Sequence, residues 1–537
     1  MPGACRGKNL AIGADQWNNA GLTSGSESLT ASVSGELKNG PQGKIIVGQP
    51  DIQEATAGGQ LELNAGSVTN EGWLQSGGEM TVTVQALVNS GVISANQAAA
   101  IEGMSLGNQG RVEAQDLQLK LREKVNNFAG AVLVAKRTLH LSSPELDNAG
   151  QLIADSAILD AQHVSNTGLL QGDSSLNVTS DTFNNAENGT VLAEKVLTLA
   201  ARHMTNAGEI QADSATLKAS QMTNSGKLLG LSILNLTAID NLVNTGKILG
   251  KDKLALTSGS LENQGTLAAA DLSVETQRNA NSGLLQGEKS LRLGATVLNN
   301  LAQGKIISGS GLSLSIPDLN NAGLISVEQG LAIDGVNLTN SGNIEAGDLN
   351  LGLTQGLDNQ AGGVLLADNT LSVTTPKGRN AGKLIANNTT LTVDDLTNNG
   401  LLQGNQTISA RGNKLANGGT GQLLSDGNID VNAARLDNAG RMQGRNITLS
   451  GGQNGGENTG QILGRDALNI LFGGAFNNGG RLIGQNYLGL TTGPLSNTGI
   501  IAASTLSIDA GSAQANNSGL IQADGKTQVN RCCVAKR

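Results

Sequence analysis

Aromatic side chains are almost missing: two Trp, one Tyr and four Phe serve 537 residues. That excludes a string of ordinary globular cores, which draw much of their buried area from such rings. Cysteine is as scarce. Cys5, Cys532 and Cys533 all lie within seven residues of an end. A Cys-free body excludes a disulfide framework and a Cys-based metal site, and is compatible with export as an unfolded chain. Charged residues are only 15%, too few for a self-repelling disordered chain. Net charge is −9, and Lys and Arg are scattered, which argues against a nucleic-acid or anionic-membrane partner. No apolar run approaches the ~20 residues that span a bilayer. The opening MPGACRGKNL lacks the apolar stretch of a secretory signal.

What is present is glycine, 74 residues of it, and small aliphatics. It is also repetition. NTGLLQG at Asn166–Gly172 returns as NSGLLQG at Asn281–Gly287 and NNGLLQG at Asn398–Gly404. Weaker copies fill the intervals. An Asn followed two residues later by Gly recurs at Asn148, Asn166, Asn206, Asn224, Asn244, Asn263 and Asn281, and continues to Asn517. Looser copies are read at Gly189, Gly304, Gly362 and Gly421, and upstream at Gly21, Gly43, Gly72, Gly91, Gly110 and Gly130. This makes 26 units with a step near 20 residues. The longer step from Gly43 to Gly72 contains Pro50 and predicts an irregular loop near 44–66. A period of this size signals a solenoid.

Aligned on the Gly, the units share a pattern. An apolar residue stands two before the Asn, as in Leu146, Val164 and Met204. Another stands two after the Gly, as in Leu152, Leu170 and Ile210. A small residue follows at the fourth position, as in Ala154 and Gly172, and an apolar pair at the eighth and tenth, as in Leu254 and Leu256. Spacing of two within each cluster is strand periodicity. Each unit therefore predicts three short strands separated by polar turns, unable to close a core alone but able to stack at ~4.8 Å per turn. The expected fold is all-β, a right-handed parallel β-helix of about 20 residues per turn and on the order of 125 Å if every unit coils. Stacked amides of Asn148, Asn166, Asn206, Asn224, Asn244, Asn263 and Asn281 would form a hydrogen-bonded ladder. The Gly would turn a corner at positive φ.

The unit L-x-N-x-G-x-[LI]-x-[GA]-x₃-L-x-L resembles the 20-residue repeat of filamentous-haemagglutinin-like adhesins over about residues 10–525. The resemblance implies an exoprotein of Gram-negative two-partner secretion, and a shaft that is secreted or held at the cell surface. Its implied partners are an outer-membrane transporter during export and, through parts of a full-length protein, a host or neighbouring cell. Members include adhesins and the delivery arms of contact-dependent growth-inhibition toxins. Two features depart from the family. The chain enters its repeats without a secretion domain, and no toxin domain follows them. Residues 1–9 and 526–537 are foreign to the repeat, which predicts a fragment of a larger gene; frame shifts are one way to make such ends.

Candidate chemistry is sparse. Gly103-Met104-Ser105-Leu106-Gly107 has the spacing of a nucleophile elbow, but alternation with Met104 and Leu106 inward places Ser105 on the outside of a strand. Gly525-Lys526-Thr527 lacks the first Gly of a phosphate loop. His163 and His203 are expected two turns apart, roughly 10 Å, too far for one zinc; His140 stands alone. Asp155, Asp173, Glu194 and Asp213 occupy one turn position on four consecutive units. Stacked at ~5 Å they would repel unless solvated or bridged, and Ca²⁺ is the cation that suits them. The same position holds Lys251, Arg445 and Arg465 elsewhere, as a solvated turn would. Phe183 and Phe476 fall on the inward position before the Asn, and no Arg-Gly-Asp occurs. The reading is a structural shaft segment without catalytic residue, metal or cofactor. The stalk of a contact-dependent toxin is its near rival. A β-helical polysaccharide lyase is a distant one, since such enzymes need acids and a base converging under long irregular loops.

Overall fold

The computed structural model describes residues 3–48, 58–511 and 513–530. Among them are forty strands and no helix, and the described strand pairings are parallel. The chain divides into two units, Met1–Ala270 and Asp271–Arg537. Each is a parallel β-solenoid whose turns stack on their neighbours about 19 residues away.

One turn shows how the sequence builds the coil. The strand Gln151–Asn166 alternates inward and outward along nearly its whole length. Leu152, Ala154, Ala157, Leu159, Ala161 and Val164 point in and are buried, and Asn166 closes the ring with no exposure. The straight runs are joined at bends where the register slips, as between Ala212 and Ser214 and between Ala219 and Gln221. The expectation of three strands separated by polar turns needs correcting here. Over much of each unit the parallel ladder continues through two of the three bends, giving strands of 16–18 residues such as Lys227–Asn244. A bend that stacks on an identical bend loses few backbone bonds, so the ladder need not break there. In these long strands the run ends at the Asn–Gly corner, whereas from Arg441 onward a second break falls before the Asn, as between Gly451 and Gly456. Even at the corner the Asn148 carbonyl accepts from Thr167 and Gly168 of the next turn, at 2.8 and 3.1 Å.

The corner glycine is needed for a different reason from the one expected. Positive φ occurs at Gly48, Gly130, Gly362, Gly455 and Gly511, none of them a corner glycine of the repeat. What the corner requires is absence of a side chain: a Cβ on Gly168 would overlap the Gly150 carbonyl oxygen, and one on Gly208 that of Gly189. Two positions assigned from sequence also move. Gly130 and Gly362 lie inside two-residue insertions, and Ala131 and Gly363 take the corner place. Ala131 and Gly363 each donate N–H to the first residue of a tight turn, Phe128 at 3.0 Å and Gln360 at 2.9 Å. Asn359 Nδ2 then reaches the Gly363 carbonyl at 3.3 Å.

Strand pairing extends beyond the 10–525 bounds of the repeat. Ala4–Ala14 pairs with Leu22–Asn39, and Thr527–Asn530 with Ile500–Asp509. Within the 44–66 expected as irregular loop, Lys44–Val47 and Gln60–Asn70 are instead strands in register with the preceding turn, and residues 49–57 lie outside the described residues. Pro50, Cys532 and Cys533 lie outside the described residues.

Five substitutions test this account. Asn206→Ala would leave the Asn185 amide and the Asn224 carbonyl without their buried partner, and is expected to cost about 2–4 kcal/mol in urea unfolding. Asn235→Ala, on an outward column, should stay within about 0.5 kcal/mol. Gly208→Ala should destabilise measurably, whereas Gly356→Ala, whose Cβ would meet nothing nearer than 3.6 Å, should not. Asn279 is 2% exposed at a position that carries Leu or Met in other turns, and its Oδ1 has no partner. Asn279→Leu should therefore raise stability by about 1–2 kcal/mol, read as a higher unfolding midpoint.

Candidate functional site

The most ordered polar feature is internal. In the first unit the Asn side chains from Asn19 to Asn263 join in twelve bonds of 2.7–2.9 Å, each Nδ2 donating to Oδ1 of the next turn. In the second unit Asn281 to Asn517 do the same at 2.6–2.9 Å. All amides point the same way along the chain. The second Nδ2 hydrogen is shared between carbonyls. For Asn148 these are Gly150 of its own corner at 3.3 Å and Leu169 of the next turn at 2.9 Å. The column is buried, so each amide would cost heavily without these partners. Sequence reading found the column but missed its first cap: Thr23 Oγ1 donates to the Asn19 Oδ1 at 3.2 Å. A Thr four residues after the Asn was the available signal.

The carboxylate column is not assembled into a cation cage. Ser174 and Ser232 donate to Asp155 and Asp213 at 2.7 and 2.6 Å, each from the following turn, and Gln171 donates to Asp173 at 2.8 Å. Among the described residues no group of three or more His, Cys, Asp or Glu is placed to hold a metal ion. Glu194 is exposed on the same column. His163 and His203 both register with Thr182, one turn on either side of it, and His163 Nδ1 shares a hydrogen bond with Thr182 at 2.8 Å. His140 Nε2 lies 3.5 Å from Asp160 on the next turn. Met104, expected inward, is 39% exposed, because a bend falls between it and buried Leu106. Ser105 beside it meets Lys124 and Ala86 in the ladder and no His. Phe183 and Phe476 are buried as their positions implied.

The outer surface carries ion pairs from turn to turn. Arg137 and Thr138 both donate to Asp116 on the preceding turn and hold its carboxyl down to about 2. Two grooves stand out, one in each unit. The first, of about 530 Å³, runs past Ser34, Gly66, Gln85, Met104 and Arg122. Its origin is bend length. The turns ending at Asn70, Asn89 and Asn108 have short bends in register with one another, while the register slips at Val33/Glu36 on one side and at Leu121/Lys124 on the other. The longer bends stand proud and the shorter ones form the floor. The second groove, of about 920 Å³, follows Asp318, Asn337, Gly356, Lys377, Arg379 and Asp395. Gly356 leaves a gap between the side chains of its neighbours in the column. Asp318 accepts from Asn337 at 3.1 Å, and Asp358 faces Arg379 at 3.9 Å. These carboxylates sit on separate turns with neighbours already engaged. The groove can hold polar ligands by hydrogen bonds, but it does not present the converging acids and base of a lyase.

Comparison with known proteins agrees with this geometry. The family model described as haemagglutinin repeat matches residues 56–127, 112–186, 170–246, 212–273, 262–345, 384–456, 446–511 and 501–531. The chain is similar to a deoxyribonuclease CdiA of Dickeya dadantii, 26% identical over 97% of this chain and 20% of that protein. It is similar to a tRNA nuclease CdiA of Yersinia mollaretii, 30% identical over 64% of this chain and 11% of that protein. A toxin CdiA of Escherichia coli is 28% identical over 78% of this chain and 15% of its own length. The chain thus spans about a fifth or less of these curated relatives. No solved structure matches it. With the repeat model matched along most of its length, the chain belongs to the haemagglutinin-repeat family.

Proposed function

We propose that this chain is a shaft segment of a large bacterial exoprotein, secreted or held at the cell surface, that carries a more distal region away from the cell. The observation that supports the reading is uniformity. Turn after turn the solenoid places the same Asn, the same corner and the same inward aliphatics, which gives extension rather than a localised site. Two-partner secretion family membership adds an outer-membrane transporter as the export partner. The Cys-free body suits passage in an unfolded state, with folding driven outside by stacking of each turn on the last.

Two versions of the shaft remain distinct in biology. In one it belongs to an adhesin that engages a host or neighbouring cell. In the other it is the stalk of a contact-dependent growth-inhibition toxin. The second is favoured by the names of the relatives, which are called toxins and nucleases. The matched region is repeat, so any nuclease chemistry would reside elsewhere in such a protein. On this reading the 537 residues themselves are not an enzyme.

The test is export. Residues 10–525 would replace the matched repeats of the Dickeya dadantii relative, with an epitope placed after them. The epitope should become accessible to protease and antibody on intact cells that carry the cognate transporter. Deleting ten turns within residues 60–260 should keep the epitope accessible and shorten the projection by about 48 Å in electron cryotomograms. Retention of the epitope inside cells that display the unmodified relative would refute the shaft reading.

A further inference from the structure

The three outward faces of the solenoid are not chemically alike. Consider the column three residues after the corner. In the first unit it reads Val134, Ile153, Gln171, Leu192, Gln211, Leu229, Leu249 on seven consecutive turns in register. In the second unit it reads Leu366, Ile385, Gln403, Leu424, Gln443, Leu463, Ile483, again in register. Both stretches are five aliphatics and two glutamines, and every one of these side chains is half-buried on the outside of the coil. Two of the four glutamines turn their amides aside: Gln171 donates to Asp173 at 2.8 Å and Gln403 to Asn405 at 2.9 Å. Their methylene stems then continue the apolar stripe.

The next face is different. Its middle outward column over the same turns runs His140, Ile158, Asn177, Thr198, Thr216, Asn235, Ala255 in the first unit and Ser372, Thr390, Ser409, Asp430, Thr448, Asn469, Gly489 in the second. Apart from Ile158 and Ala255 these are ordinary solvated choices. Single exposed aliphatics such as Ile158, Val196 and Ile233 stand elsewhere, but this column keeps them on five turns of seven at the same position in both units, which is the mark of a surface that meets a partner.

We propose that this face is a lateral docking surface for a second copy of the chain. The occupant follows from the spacing. The aliphatics recur at every turn, about 4.8 Å apart, so a partner can engage many of them only if it repeats at the same rise. Another haemagglutinin-repeat solenoid does, and a globular partner would cover two or three turns. One flanking column supplies Lys227, Lys247, Lys383 and Arg441, and in the first unit the other flank carries Asp155, Asp173, Glu194 and Asp213, so both signs of charge border the stripe. Area sets the strength. Seven turns of a four-residue strand present roughly 440 Å² per copy, about half of what a stable interface buries on each partner. Pairing through one stripe is therefore reversible, in the range of tens of micromolar. Shafts with more turns would pair more firmly.

The test uses the 537-residue chain with p-benzoyl-phenylalanine placed at Leu229, on the stripe, or at Asn235, on the polar face. Sedimentation velocity from about 10 to 200 µM should show a dimer that grows with concentration. Ultraviolet crosslinking should give dimer from the Leu229 position several-fold more than from Asn235. The six-site variant Leu192→Lys, Leu229→Lys, Leu249→Lys, Leu424→Lys, Leu463→Lys and Ile483→Lys, which breaks the stripe in both units, should remain monomeric while keeping its β circular dichroism, since all six side chains face outward. A chain that stays monomeric across the range overturns the proposal. So does a dimer that persists in the six-site variant, which would be end-to-end contact, and so does equal crosslinking from both positions.

Discussion

A buried primary amide must find a partner for its donors and acceptor, and within the ladder each Asn finds an amide partner on the turn above and the turn below. That requirement disciplines everything else. The contour between successive ladder residues varies from 18 residues, Asn148 to Asn166, to 21, Asn127 to Asn148, yet the bond is 2.8 Å in both cases. Extra residues are looped out at bends and corners so that the amide comes back to the same place. The corner glycine is part of the same constraint: turns that approach closely enough for amide contact leave no room for a Cβ above the carbonyl below. Aliphatic stacking supplies the larger share of stability, but an apolar interior alone would tolerate slippage between turns, and the amide column does not.

Because the interior is so fixed, variation is confined to the outside, and the outside is where this chain has individuality. Unequal bends make one groove, and a missing side chain at Gly356 makes the other. The stripe of aliphatics after the corner gives the coil a side. None of these assembles reacting groups, which accords with a part whose contribution is reach. The relatives, several times longer than this chain, place their named activities in proteins of which the repeats are one portion.

Much of the architecture was legible before any coordinates. The period, the inward positions, the ladder residues and the burial of Phe183 and Phe476 all follow from alternation and recurrence, which are local properties repeated many times. Three differences share an origin in what lies beyond the local stretch. Gly130 and Gly362 have the spacing of corners because an insertion places a turn glycine beside the true corner, and spacing alone cannot choose between them. Met104 falls inward only when alternation is carried across a bend that resets it. Isolated turns call for positive φ at the corner glycine, whereas the constraint here comes from a carbonyl about 19 residues away in sequence.

The sequence by itself determined that the chain coils, how often, and which side chains fill the coil, because each of these depends on residues close together in the chain. The tertiary structure alone decided which residue stands over which. That covers the Thr23 cap on the first amide, the serines that claim Asp155 and Asp213, the grooves between bends of different length, and the alignment of outward aliphatics into a stripe. The physical reason is that neighbours across turns are set by the summed lengths of bends and insertions. An error of one residue at any bend moves every outward side chain to a different column.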